Sequence, residues 1–145
     1  MITDFIKGLL LSLVTFLIPI QGLLLSVGLF IAFDTCMAFW KTRKKKTTWT
    51  SRIFRNGFLR KLIPYQAAVI LFYVMDFYIL NEFTTKFIDI QYLLTKCLSL
   101  VLCYIELKSI DESWTSVKGK GLIQSFREMI KLTKVLKSDI TELKD

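Results

Sequence analysis

From Gly22 to Lys46 the chain reads GLLLSVGLFIAFDTCMAFWKTRKKK. An apolar run from Leu23 to Trp40, broken by one ionisable side chain, Asp34, passes abruptly into a block of lysine and arginine. The apolar part approaches the roughly 20 residues needed to cross about 30 Å of hydrocarbon as an α-helix. A helix on the surface of a soluble domain would instead keep one polar stripe along its length. Read outward from this stretch, three more apolar runs appear, at about 5–20, 62–80 and 87–107. The reading is an all-α integral membrane protein with about four transmembrane helices and a C-terminal cytoplasmic amphipathic helix.

Composition agrees. Of 145 residues 53% are hydrophobic, above the roughly 45–50% usual for soluble domains, and the mean hydropathy is +0.48. The net charge is +8, a value that in a soluble protein would point to nucleic acid, but its placement argues otherwise. Lys41, Arg43, Lys44, Lys45, Lys46, Arg52, Arg55, Arg60 and Lys61 occupy one connector, 41–61, between two apolar runs and without an acid among them. Positive charge beside a membrane span resists translocation. The basic loop therefore sets topology, with membrane lipids and not nucleic acid as the partner.

The chain has no histidine, and Cys36, Cys97 and Cys103 lie inside apolar runs without metal-ligand spacing. No nucleophile with a base and no phosphate-cradling glycine loop is visible. We expect no catalytic residue, no cofactor and no metal, hence no enzyme. Ser109 and Glu112 have capping-box spacing, which is a helix-start signal.

Residues 1–110 are expected to form the transmembrane helical domain and residues 111–145 a cytoplasmic amphipathic tail. Pro19 and Gly22 between the first two runs predict a tight helical hairpin, although a first segment that is re-entrant or lies on the surface fits the same composition. With the basic connector inside, four crossings place the N-terminus and the C-terminus in the cytoplasm. Trp40 and Trp49 flank the loop at interface level. In the tail, Leu122, Phe126, Met129, Thr133, Leu136, Ile140 and Leu143 form one helical stripe with Lys131, Lys134, Lys137 and Lys144 around it. Such a helix rests on an anionic membrane surface or pairs as a short coiled coil.

Ionisable residues inside spans cost about 2.5–3.5 kcal/mol at the bilayer centre on insertion scales, so each calls for a reason. Asp34, Asp76 and Lys96 are the candidates. Asp76 and Lys96 stand at similar depth, predicting either a mutual salt bridge or independent snorkelling to the interface. Gly8 with Ser12, Gly22 with Ser26, and Gly28 with Ala32 make small-xxx-small steps that permit close helix approach and oligomerisation.

Three local patterns, in order between Ile31 and Ser113, resemble the bacteriophage holins related to clostridial toxin-secretion holins. Asp34-Thr35-Cys36-Met37-Ala38 resembles the Asp-x-x-Thr-Gly segment that leads into a basic loop, with Met37-Ala38 standing where Thr-Gly is usual. Ser51-Arg52 followed by Gly57-Phe58-Leu59-Arg60-Lys61 is similar to the run before the next span. Glu106, Ser109, Ile110 and Glu112 match the Glu-x-x-Ser-Ile-x-Glu-Asn signature, with Ser113 in place of Asn. The resemblance implies a multi-pass protein of the bacterial host's cytoplasmic (inner) membrane. It would form a homo-oligomer and permeabilise the membrane by pore formation, releasing an endolysin that acts downstream without direct binding, so that cytolysis and host lysis follow. A non-lytic membrane scaffold or anchor subunit and a small ion channel are the competing classes.

Overall fold

In a computed structural model the chain is described at residues 1–45, 51–87 and 90–142, without the side chains of 51–54, 56, 84–85 and 134–142. Every regular element among the described residues is helical: α1 (Ile2–Leu17), α2 (Gln21–Lys44), α3 (Ser51–Met75), α4 (Asn81–Phe87), α5 (Leu93–Lys118) and α6 (Leu122–Glu142). A 3-10 turn, Ile18–Ile20, joins α1 to α2, and a π-helical turn, Asp76–Leu80, joins α3 to α4.

Two stretches are long and apolar enough to cross a membrane, Ile2–Lys44 and Gly57–Phe83. The first is one helical run of 43 residues, about 65 Å long at 1.5 Å per residue. The expected hairpin at Pro19–Gly22 is therefore not formed. Pro19 lies in the first turn of the 3-10 segment, where a missing N–H is harmless. Gly22 does not adopt a positive φ, Gly119 being the only described glycine that does, so nothing reverses the chain.

The basic connector is shorter than expected, because α2 continues to Lys44 and α3 begins at Ser51. Lysine and arginine are good helix formers, and charge alone does not end a helix. Lys46 and Trp49 lie outside the described residues, as does the side chain of Arg52. Similarly, α5 starts at Leu93 and runs through the expected boundary near residue 110 to Lys118. Ser109 and Glu112 consequently sit inside a helix and do not cap one.

α2, α3 and α5 form the bundle. α2 packs along α5 and α3, with Ile20, Val27, Ile31, Val69, Tyr73 and Leu102 as its buried apolar core. The buried positions of α5 are Thr95, Ser99, Leu102, Glu106, Ile110 and Ser113, a single stripe at steps of three and four. Four of those six are polar or charged, whereas Leu100, Val101, Tyr104, Ile105 and Leu107 on the same helix are exposed. Gly28 admits α3 closely: a Cβ there would meet Gln66 Nε2 at 3.4 Å, and that amide donates to Leu24 O at 2.8 Å. Gly8 and Gly22 face open space, and Ser26 donates to Gly22 O at 2.7 Å within its own helix. Ala32 is half-buried.

α1 lies outside the bundle with no buried residue. Only its C-terminal end is anchored, where Tyr73 Oη donates to Phe16 O at 2.9 Å and the Phe16 ring packs on Tyr73 and Phe77. At the opposite end α5 stops at Gly119, whose φ of +73° closes the helix with an N–H bond to Thr115 O at 2.8 Å. This left-handed cap suits glycine. α6 then starts on a borrowed cap, Leu122 N–H donating to Asp111 Oδ1 at 2.6 Å. Trp114 Nε1 fixes the junction by donating to Ser125 Oγ at 3.0 Å. Of the tail stripe, Phe126 and Met129 are exposed. Leu143 lies outside the described residues, as do the side chains of Leu136 and Ile140.

Candidate functional site

The buried registers of three helices each deliver one ionisable side chain to the same place. On α2, Asp34 follows Val27 and Ile31 by seven and three residues and shares their inward face. On α5, Glu106 lies four residues from both Leu102 and Ile110. On α3, Lys61 stands eight residues before the buried Val69. The Lys61 ammonium reaches between the two acids, with Nζ 2.7 Å from Asp34 Oδ2 and 3.0 Å from Glu106 Oε2.

The two carboxylates are sealed from solvent, at 8% and 1% side-chain exposure, while Lys61 keeps 38%. Its ammonium is turned toward the two buried acids and not out to the surroundings, the inverse of a snorkelling lysine. With all three groups ionised the cluster carries a net charge of −1. Asp34 Oδ1 and Glu106 Oε1 are buried and accept no hydrogen bond among the described residues, and the Tyr65 side chain interacts with Glu106 from one turn along α3. Burial of such charges is tolerable only when they are paired, and removing one partner leaves the others uncompensated.

A second polar station lies about 16 Å away along α5, eleven residues at about 1.5 Å each. There Asp76, at the start of the π-helical turn and 1% exposed, accepts from the Thr95 backbone N–H at 2.7 Å and from Thr95 Oγ1 at 2.6 Å. Thr95 is the third residue of α5, so Asp76 caps that helix from its neighbour and faces its positive end. The helix starts on Tyr92, held at φ +55°, with its ring against Tyr73 at 5.1 Å. The expected Asp76–Lys96 salt bridge is not made: Lys96 is exposed and forms no ion pair among the described residues. A backbone donor one residue earlier takes the carboxylate, and Lys96, about 100° further round the helix, is left exposed.

Ser99 donates to Thr95 O at 2.8 Å between the stations, and Val27, Ile31, Val69 and Leu102 fill the rest of the interior. Among the described residues no group of acids, cysteines or histidines could hold a metal ion. Of the connector's other basic residues, Lys41, Arg43, Lys44 and Lys45 lie at the end of α2 and Arg55 and Arg60 in the first ten residues of α3, and all but the half-buried Lys41 are exposed. Ser109 is half-buried, Ile110 buried and Glu112 exposed.

Asp34, Lys61 and Glu106 had each been singled out in the sequence for a different reason. The missing signal was register: Asp34 continues the Val27–Ile31 face, and Glu106 continues the Thr95–Ser99–Leu102 stripe. No protein family, curated protein or solved structure matches the chain.

Two outcomes follow. Lys61→Met leaves two buried carboxylates facing each other, and the purified protein should lose about 3 kcal/mol of stability, the lower end of the range for such pairs because Lys61 is partly exposed. Adding Asp34→Asn and Glu106→Gln should recover most of that loss in thermal unfolding in detergent. At the other station, Asp76→Asn keeps an acceptor for the Thr95 N–H, whereas Asp76→Leu removes the cap, at about 1–2 kcal/mol. Lys96→Gln should add nothing to either, and coupling between positions 76 and 96 would contradict the assignment.

Proposed function

We propose that the chain is a holin-like protein that oligomerises in a bacterial cytoplasmic membrane and permeabilises it, releasing a cell-wall-degrading enzyme. The observation that carries this reading is that the three segments resembling holins supply Asp34, Lys61 and Glu106, one each, to a single buried cluster. A likeness scattered over the sequence thereby has one physical meaning: it is the set of residues that joins three helices.

The distribution of polarity supports a membrane location. Leu25, Leu29, Phe33, Ile63, Leu71, Leu100 and Val101 are exposed, while Asp34, Asp76, Thr95, Ser99 and Glu106 are buried. Water would favour the reverse, since exposed apolar patches of this extent are rare on soluble monomers. Lipid favours what is observed, because polar side chains then seek one another.

In the bilayer α2, α3 and α5 cross, with Lys41–Lys45 and α6 on the cytoplasmic side. Without a hairpin, α1 does not return across the membrane. On this reading it leaves the bundle at the outer end with the N-terminus outside, which makes three crossings. Its exposed apolar surface, with the open Gly8 and Ser12 step, is the surface for lateral association. In the closed protomer the charges are sealed inside. When associated protomers rearrange, Asp34, Lys61, Glu106, Asp76 and Thr95 become the wall of an aqueous lesion, and apolar faces remain toward lipid. The enzyme passes without being bound.

Controlled expression in a bacterium tests the function. Growth should continue normally and then end in abrupt loss of membrane potential, with lysis only when an endolysin is supplied. Abundant protein in the inner membrane of cells that stay energised would sink the proposal. For topology, Thr3→Cys and Ser116→Cys are introduced separately after replacing Cys36, Cys97 and Cys103. An impermeant maleimide should label position 3 in intact spheroplasts and position 116 only after permeabilisation; labelling of both only after permeabilisation would restore an internal N-terminus.

A further inference from the structure

An apolar groove of about 460 Å³ runs along the outside of the bundle between α2 and α5. Leu29, Phe33 and Met37 line one side, Leu107 and Trp114 the other, and Leu122 at the start of α6 is also part of its wall. Its volume is in the range of sites that hold small apolar ligands. Trp114 ties the groove to an aromatic and cationic collar, where the Trp40 and Trp114 rings lie 5.6 Å apart. Lys44 Nζ sits 5.6 Å over the Trp40 ring and Lys118 Nζ 6.0 Å over the Trp114 ring. Neither lysine has an ion-pair partner among the described residues. The acid at this junction, Asp111, directs Oδ1 to the Leu122 N–H.

An apolar slot joined through Trp114 to two indoles and two ammonium groups without an ion-pair partner among the described residues is complementary to one chemistry, a hydrocarbon chain attached to an anionic head. We propose that this groove is a binding site for an anionic phospholipid of the inner leaflet. One acyl chain lies against Phe33, Met37 and Leu107, and the phosphate lies at Lys44 and Lys118. Tryptophan belongs at this depth because its ring is apolar and its N–H polar. The Trp114 N–H is already given to Ser125, so the indole is fixed and the lipid contact with it is to the ring. Because Leu122 lines the groove and Asp111 caps α6, the bound lipid also touches the junction that sets where α6 begins. The site thus joins the charge of the inner leaflet to the position of the tail. It rests on the membrane placement proposed above and is independent of lysis.

The test uses the full chain purified in detergent and native mass spectrometry with phosphatidylglycerol and phosphatidylcholine of identical acyl chains. Phosphatidylglycerol should be retained about ten-fold more strongly, given two lysines near the headgroup. The preference should fall below about two-fold in Lys44→Gln/Lys118→Gln and persist in Arg127→Gln/Lys131→Gln, exposed charges on α6 that are not part of the groove's wall. Met37→Trp, which fills the slot, should reduce retention of both lipids. Equal retention of the two lipids by the unmodified chain would overturn the site. So would a preference that survives the Lys44/Lys118 variant or follows Arg127 and Lys131. Displacement by soluble glycerol phosphate would assign a free-phosphate site instead, and a dimer that excludes lipid would assign the groove to a second copy; either result overturns the proposal. Alkaline extraction from membranes separates the two levels: extraction of the chain sinks the membrane placement, whereas a retained chain without lipid preference sinks only the groove.

Discussion

The bundle depends on one ammonium group held between two carboxylates that come from two other helices. Each helix alone carries an unfavourable residue: Asp34 and Glu106 buried almost completely, and Lys61 with its charge turned inward. Together they satisfy most of one another's requirements, and no two of them suffice. An apolar contact in lipid would discriminate poorly between helix pairs, because a lipid tail is as apolar as leucine. In the proposed membrane setting the cluster would supply the specificity that the hydrophobic effect supplies in water. It also sets register, since a shift of α3 by one residue would rotate Lys61 about 100° away from both acids.

The second station works the same way with fewer charges. Asp76 reaches across to the first turn of α5 and satisfies donors that a helix start leaves open. The middle of the bundle is held by an ion cluster and one end by a borrowed cap, with Val27, Ile31, Val69 and Leu102 between them. α1 and α6, which contribute to neither station, extend from the two ends and keep apolar surface exposed. The structure is thus divided into a three-helix unit defined by internal polarity and two appendages that meet the surroundings. In the proposed membrane setting such a division would keep polar groups out of lipid until neighbours are available to share them.

Much of this was legible from apolar runs and charge blocks. The α2 span was readable because Leu23–Trp40 contains a single charge, and the helical tail because its stripe repeats at steps of three and four. The hairpin was misread because Pro19 and Gly22 are turn residues by habit, yet proline in a first turn and glycine at ordinary helical φ leave a helix intact. The connector was misread because Lys and Arg were taken as loop markers, although they favour helix. That error hid the cluster: with Lys61 assigned to a loop, nothing positive was left at the depth of Asp34. Of the two readings for Asp76, a salt bridge to Lys96 or independent snorkelling, neither included its actual partner, because sequence offers side-chain charges and does not display backbone donors. Its actual partner, the Thr95 N–H, exists only once α5 is known to begin at Leu93.

The most direct test of the account is the shared ammonium itself, observed in a bilayer. Solid-state NMR on protein labelled with ¹⁵N at lysine Nζ and ¹³C at aspartate and glutamate carboxyls reads the proximity of those atoms without any assumption about activity. One lysine ammonium should correlate with both an aspartate Cγ and a glutamate Cδ, and that signal should vanish in Lys61→Met. If no ammonium correlates with both carboxyls, Lys61 does not bridge α2 and α5, and the bundle is held by something else.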